Sequence, residues 1–242
     1  METTDRRQAY LDAMGITRWV SRDQQTPPHV EVPQVEDRLA ATIPPPRGGE
    51  SREERIARMD WAALQAEVAQ CAACGLHKTR TQAVFGVGDR HAQWMIIGEA
   101  PGAEEDRRGE PFVGRAGQLL NAMLQAVGLR REEVFIANIL KSRPPNNRDP
   151  RPEEVAACAP FLKRQVELVA PKVILALGRV AAQNLLDTDS RLGAMRGKVY
   201  KYSPAGIPVV VTYHPAYLLR TPRDKRKAWE DLQFALKIMG RG

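Results

Sequence analysis

Three cysteines are the first side chains in this chain that could do chemistry: Cys71 and Cys74 form a Cys-x-x-Cys pair, and Cys158 stands alone much further on. An odd, sparse set does not build a disulfide framework, which leaves metal binding, catalysis or simple burial. His77, three residues after Cys74, could complete a Cys3His zinc site. Carboxylates gather at Glu99 and at Glu104-Glu105-Asp106, a lone amide stands at Asn138, and an imidazole stands at His214 just before Pro215. Taken singly, each has an ordinary explanation. Glu104-Glu105-Asp106 reads as a solvated acidic run near a helix start, Asn138 as a turn former at a strand end, and His214 as a capping or packing residue. They become interesting only if one edge of the fold brings them together.

The elements that would do so are legible from Cys71 onward. Short, continuously apolar runs at Trp94-Met95-Ile96-Ile97, Val134-Phe135-Ile136-Ala137, Val173-Ile174-Leu175-Ala176-Leu177 and Pro208-Val209-Val210-Val211 suit parallel strands buried on both faces. Helical periodicity runs between them: over 113–127, with Leu120 and Leu124 on its stripe; over about 151–169, with Pro152 near its start; and over about 224–239, with Leu232 and Leu236. A further helix is expected over about 51–69, with Ile56, Met59, Leu64 and Val68 roughly in phase. Alternation of strand and helix predicts an α/β protein, a three-layer α/β/α domain around a central four-stranded parallel sheet. Ligands of such sheets sit beyond the carboxyl ends of the strands. Those ends run into Gly98 to Asp106, into Asn138 and then Lys141 to Arg148, into Gly178-Arg179, and into His214 to Arg220. Glycine, acid, amide and imidazole therefore converge on one edge.

At 242 residues the chain suits one sizeable domain plus an appendage. Domain boundaries are expected at a short helix within 1–25, a Pro-rich linker over 26–50 containing Pro27, Pro28, Pro33 and Pro44 to Pro46, and a main domain over 51–242. No apolar run reaches the roughly 20 residues of a membrane helix, and the first residues lack a secretory pattern, so no membrane partner and a cytoplasmic address are expected. The net charge of +7 is unevenly spread: residues 1–69 hold 9 Lys/Arg against 12 Asp/Glu, and residues 70–242 hold 27 against 17. A basic domain of this kind attracts polyanions, nucleic acid foremost. No Walker or dinucleotide glycine signature is present, which argues against a nucleotide-binding enzyme of flavodoxin-like build.

Taken together, Cys71-x-x-Cys74, Gly98-Glu-Ala-Pro-Gly-Ala-Glu-Glu-Asp106, Pro111-Phe-Val-Gly-Arg-Ala-Gly117, Asn138, Arg143-Pro-Pro-Asn-Asn-Arg148, Cys158 and His214-Pro-Ala-Tyr-Leu-Leu-Arg220 resemble the family 4 uracil-DNA glycosylases, the iron-sulfur branch of their superfamily. The resemblance covers about Cys71 to Met239. It implies a monofunctional enzyme that hydrolyses the N-glycosidic bond of deoxyuridine in DNA, acting as a monomer in base excision repair. A base so treated must first be flipped out of the duplex.

By that resemblance Asn138 hydrogen-bonds the uracil edge, and Phe112 stacks on the flipped base, although an isolated Phe is as readily a core aromatic. Gly98 and Ala100 shape the base pocket. His214 donates to uracil O2 as charge develops there. Ala100 stands where better-known superfamily members carry an Asp, so water orientation falls to Glu105, the preferred residue, or to Glu99. Tyr217, Leu218 and Leu219 lie where the superfamily inserts an apolar wedge into the minor groove; Arg220, Arg179 and Lys141 are the expected DNA contacts. The family holds a 4Fe-4S cluster on four cysteines. Cys71, Cys74 and Cys158 match three, and Ser142 occupies the remaining position, a harder and poorer ligand. An intact 4Fe-4S cluster with a non-thiolate corner, a 3Fe-4S cluster, a labile cluster and no cluster all stay open. The competing readings are a non-catalytic iron-sulfur DNA-binding relative and a uracil-DNA-binding relative with weak turnover.

Overall fold

In the computed structural model, which describes residues 49–240, the four apolar runs form the middle of a six-stranded sheet. The strands are β1 (Val87–Gly88), β2 (Trp94–Gly98), β3 (Phe135–Asn138), β4 (Val173–Leu177), β5 (Val199–Tyr202) and β6 (Ile207–Thr212), in spatial order β1-β3-β2-β4-β6-β5. The expected parallel four are β3, β2, β4 and β6, each paired in parallel with its neighbour. An antiparallel strand is added at either edge, β1 on β3 and β5 on β6. These two escape a search for buried apolar runs. β1 has only two residues, and Val199-Tyr200-Lys201-Tyr202 alternates exposed and half-buried, as an edge strand should.

Successive residues of each strand serve opposite faces. Met95, Ile97, Ala137, Ile174 and Val211 pack with Leu162 and Val166 of α5 (Pro152–Val169) and with Ala181 and Leu185 of α6 (Arg179–Leu186). Trp94, Ile96, Ile136, Leu175 and Val210 pack with Leu120 and Leu124 of α4 (Arg115–Ala126) and with Leu232 and Ala235 of α9 (Lys225–Ile238). The short helices are α3 (Ala103–Arg108), α7 (Leu192–Met195) and α8 (Pro215–Arg220).

The single helix expected over 51–69 is two, α1 (Arg52–Ala57) and α2 (Trp61–Gln70). The break is written in two caps. Ser51 and Glu54 form a reciprocal capping box on α1, and the Asp60 carboxylate accepts the Ala63 N–H at 2.8 Å to open α2. Ile56, Met59, Leu64 and Val68 of this hairpin close around Phe161 of α5, with the Arg52 guanidinium 4.7 Å from the Phe161 ring centre. Cys71 follows as the C-cap of α2. The short helix expected within 1–25 and nearly all of the Pro-rich stretch lie outside the described residues. Among those described, no helix is long and apolar enough to cross a membrane.

Phe161→Ala is expected to cost about 3–5 kcal/mol, the usual penalty for emptying a buried aromatic site, measured by urea unfolding. Because Phe161 holds the hairpin that ends at Cys71, reaction of that thiol with a disulfide reagent should accelerate in the same variant.

Candidate active site

The strand order reverses beside β2, where β3 lies on one side and β4 on the other, and the loops leaving this edge enclose a cavity of about 450 Å³. Glu99, Ala100, Glu105, Phe112, Asn138, His214, Tyr217 and Arg220 all line it. Residues from three strand ends and two loops thus meet, as the carboxyl-edge argument requires.

Gly98 is the floor on which this convergence rests. A Cβ placed there would stand 2.5 Å from Asn138 Oδ1 and 2.6 Å from the tip of the Phe112 ring, so any side chain would displace both. Phe112 is itself in the left-handed region at φ 54°, an unusual conformation for a bulky residue. Three features hold it there. Arg131 donates to the Phe112 carbonyl at 3.3 Å and to the Pro111 carbonyl at 2.5 Å. Gly117 allows the Phe112 carbonyl to lie 1.8 Å from where a Cβ would sit. Glu105 accepts the Val113 and Gly114 N–H groups on Oε1 and the Gly102 N–H on Oε2, at 3.0, 3.1 and 3.1 Å. The Phe112 ring, 6% exposed, lies 5.5 Å from the His214 ring at an angle of 32°.

His214 opens α8. Its Nδ1 accepts the Ala216 N–H at 3.1 Å, so in the neutral ring the proton is on Nε2. Burial, aided by the Arg220 charge and opposed by Glu105, lowers its pKa to about 4. Gly178, at φ 89°, makes room for the ring's Cβ, which lies 2.9 Å from where a glycine substituent would begin. Asn138, the last residue of β3, is 2% exposed, and its Oδ1 is buried with no hydrogen-bond partner. An orphaned buried amide oxygen carries a real energetic cost and marks a site awaiting a ligand.

The two carboxylates differ. Both oxygens of Glu105 are committed to loop amides, whereas Glu99 makes no side-chain hydrogen bond among the described residues. Its carboxyl is pushed above the usual range by burial and by the charge of Asp149, against the pull of Arg179. Arg179 pairs at 2.7 Å with Asp149, which lines the cavity.

Two expected DNA contacts are corrected. Lys141 is 1% exposed and fully enclosed, so it cannot meet a phosphate; its ammonium donates to the Asn138 carbonyl at 2.8 Å and to Gln165 Oε1 at 2.7 Å. Burial brings its pKa down to about 7. Leu218 is 1% exposed and belongs to the interior, which leaves Leu219, 37% exposed, as the apolar side chain able to reach a groove. Tyr217 stacks on Tyr213 at 5.1 Å and donates its hydroxyl to Asp224 at 2.6 Å. Arg131, Gly117, Gly178 and the Lys141–Gln165 pair were not anticipated. Of these, only the paired glycines of Gly114-Arg-Ala-Gly117 carry a local signal.

The chain's residues 85–233 match the model of the uracil DNA glycosylase superfamily. The type-4 uracil-DNA glycosylase of Archaeoglobus fulgidus is 47% identical over 181 residues, spanning 72% of this chain and 91% of that protein. That of Pyrobaculum aerophilum is 46% identical over 180 residues, 72% and 92% of the two chains, and that of Thermotoga maritima 45% over 171 residues, 69% and 88%. This chain belongs to the type-4 uracil-DNA glycosylase family. The family resemblance drawn from the motifs is thereby established.

For a type-4 glycosylase the cysteine region is the point of departure. Burial pushes the Cys158 thiol up; the Lys141 N–H and ammonium oppose the rise, and the charges of Cys74 and Cys71 add to it. Ser142 is buried, and Arg80 donates to its Oγ at 2.9 Å. His77 turns Nδ1 onto the Cys74 carbonyl at 2.6 Å. Among the described residues no three His, Cys, Asp or Glu side chains are grouped as a ready metal site.

Gly98→Ala should reduce base excision by about a hundredfold, the scale of a 1 Å misplacement of positioning groups, with the far-ultraviolet circular dichroism unchanged. A second expectation concerns pH. Native His214 stays neutral down to about 4, whereas an unfolded histidine protonates near 6.5. Stability should therefore fall as pH drops from about 6.5 toward 4, and His214→Phe should flatten that part of the curve in thermal melts.

Proposed function

We propose that this chain is a monofunctional uracil-DNA glycosylase that hydrolyses the N-glycosidic bond of deoxyuridine and leaves an abasic site. The observation that carries the reading is the pairing, in one cavity, of an orphaned Asn138 amide with an imidazole whose only available proton is on Nε2. An amide presents one donor and one acceptor. It matches uracil N3–H and O4, while cytosine offers the reverse pattern at those positions and is refused. The flipped base enters against Phe112, and extrusion of the base costs a few kcal/mol.

As the glycosidic bond lengthens, negative charge grows on uracil O2 and positive charge on the sugar. His214 supplies a preformed Nε2–H donor to O2. A neutral donor suffices there because it is fixed before the reaction and pays no reorganisation. Glu99 is the carboxylate with free acceptor capacity, so it orients the attacking water and balances the sugar cation; Glu105 holds the loops that carry Gly102, Val113 and Gly114. No lysine lines the cavity among the described residues, which suits hydrolysis by water over imine formation with the sugar. Leu219 takes the vacated stacking position, and Arg220, exposed at the mouth, meets the backbone phosphate.

Cys71, Cys74 and Cys158 are the thiolate ligands an iron-sulfur cluster would take, although they are not grouped as a metal site among the described residues, and Ser142 would be a weak oxygen donor already engaged by Arg80. Bound there, a cluster would be a structural staple between α2, the loop after β3 and α5; base excision transfers no electrons.

A single-uracil oligonucleotide, treated with alkali after incubation, tests the whole reading. Wild type should cleave. His214→Ala should lose about 10²–10³-fold, as removal of an oxyanion donor commonly does, and Glu99→Gln should lose more than Glu105→Gln at equal folded fraction. No cleavage by folded protein overturns the enzyme and favours a DNA-binding relative. In parallel, iron and acid-labile sulfide should be retained longer by Ser142→Cys than by wild type.

A further inference from the structure

Strand β1 pairs with β3 through only two residues, Val87 with Ile136 and Gly88 with Phe135. Continuing that antiparallel register would set Phe85 opposite Asn138. The ladder does not continue, and two side chains stand in the gap. The Lys141 ammonium donates to the Asn138 carbonyl at 2.8 Å and to Gln165 Oε1 at 2.7 Å, and Gln165 Nε2 donates to the Phe85 carbonyl at 2.8 Å. Lys141 and Gln165 thus join the two residues that the missing rung would have faced, with all three contacts at good hydrogen-bond length.

The other side of Asn138 is held by ordinary backbone pairing. Ile139 N–H donates to the Gly98 carbonyl and Leu140 N–H to the Glu99 carbonyl, each at 3.0 Å. The Lys141 carbonyl in turn accepts the Val84 N–H at 2.8 Å. Asn138 is therefore clamped between β2 and this side-chain bridge, while its amide oxygen stays unpaired. Lys141 is 1% exposed and Gln165 fully buried, and a lysine is almost never so enclosed without a specific partner.

We infer that Lys141 and Gln165 act together as positioning residues for base recognition, replacing a rung of the sheet so that the Asn138 amide is aimed before uracil arrives. The inference rests on the reading of Asn138 as the uracil-binding amide. Neither residue lines the cavity, so each acts through Asn138. The ligand concerned is the pyrimidine edge with its O4 and N3–H; the sugar and phosphates are untouched by the bridge.

The test separates base recognition from DNA binding. In full-length protein, inhibition of excision by free uracil reports the base site, and affinity for a duplex carrying a tetrahydrofuran abasic analogue reports the rest of the interface. Lys141→Met keeps the length and removes the donor; Lys141→Met with Gln165→Met removes both side-chain polar groups, so that the Asn138 and Phe85 carbonyls alone lose a partner. Far-ultraviolet circular dichroism and thermal melts check that each variant is folded before its affinities are compared. Both variants should weaken free-uracil inhibition about ten- to hundredfold, the scale of losing one buried hydrogen-bonded restraint, with abasic-duplex affinity within about twofold of wild type. Equal losses in both affinities, or uracil inhibition unchanged in the folded double variant, would overturn the inference. Asn138→Ala is the control: if it keeps wild-type uracil inhibition, the reading of Asn138 itself fails, whatever Lys141 does.

Discussion

Backbone hydrogen bonding at the carboxyl edge of the parallel sheet is the constraint on which the rest of this molecule depends. Strands buried on both faces have no water to satisfy the peptide groups at their ends, and here the ladder on one side of β3 stops early. The Asn138 carbonyl so stranded is met by the Lys141 side chain, and in the loops beyond β2 the Glu105 side chain meets three further N–H groups. The cavity is the space these substitutions leave. Its chemistry follows from which polar atoms were satisfied and which, such as Asn138 Oδ1, were not.

Steric economy decides how close the reacting groups come. Gly98 and Gly117 admit Phe112 from two sides, and Gly178 admits His214. Each is a position where a Cβ would fill the place now held by a functional group. Phe112 pays for its left-handed backbone through the Arg131 clamp, whose guanidinium is half-buried and reaches both carbonyls of the preceding turn.

Electrostatic roles separate by environment. Two glutamates line one cavity, yet Glu105 is saturated by amides while Glu99 is desolvated and faces Asp149 and Arg179. His214 is kept neutral by burial and by Arg220, and its tautomer is fixed by a single backbone N–H. Such separation of titratable groups by surroundings is how one pocket keeps a donor and a base side by side.

The parallel core, the carboxyl-edge location and the members of the motif set were legible in the sequence because they rest on local properties: apolar runs, helical phase, and side-chain types at strand ends. The edge strands were not, since two residues, or an alternating half-exposed run, make no apolar signal. Nor could local pattern distinguish Lys141 from a surface lysine, Leu218 from Leu219, or Glu105 from Glu99. Those distinctions are matters of which way a side chain turns and what stands beside it. The sequence by itself determined the layers, the family and the chemical vocabulary of the site; only the tertiary structure decided which lysine is buried, which carboxylate is free and which leucine is exposed, because burial and pairing belong to contacts between distant segments.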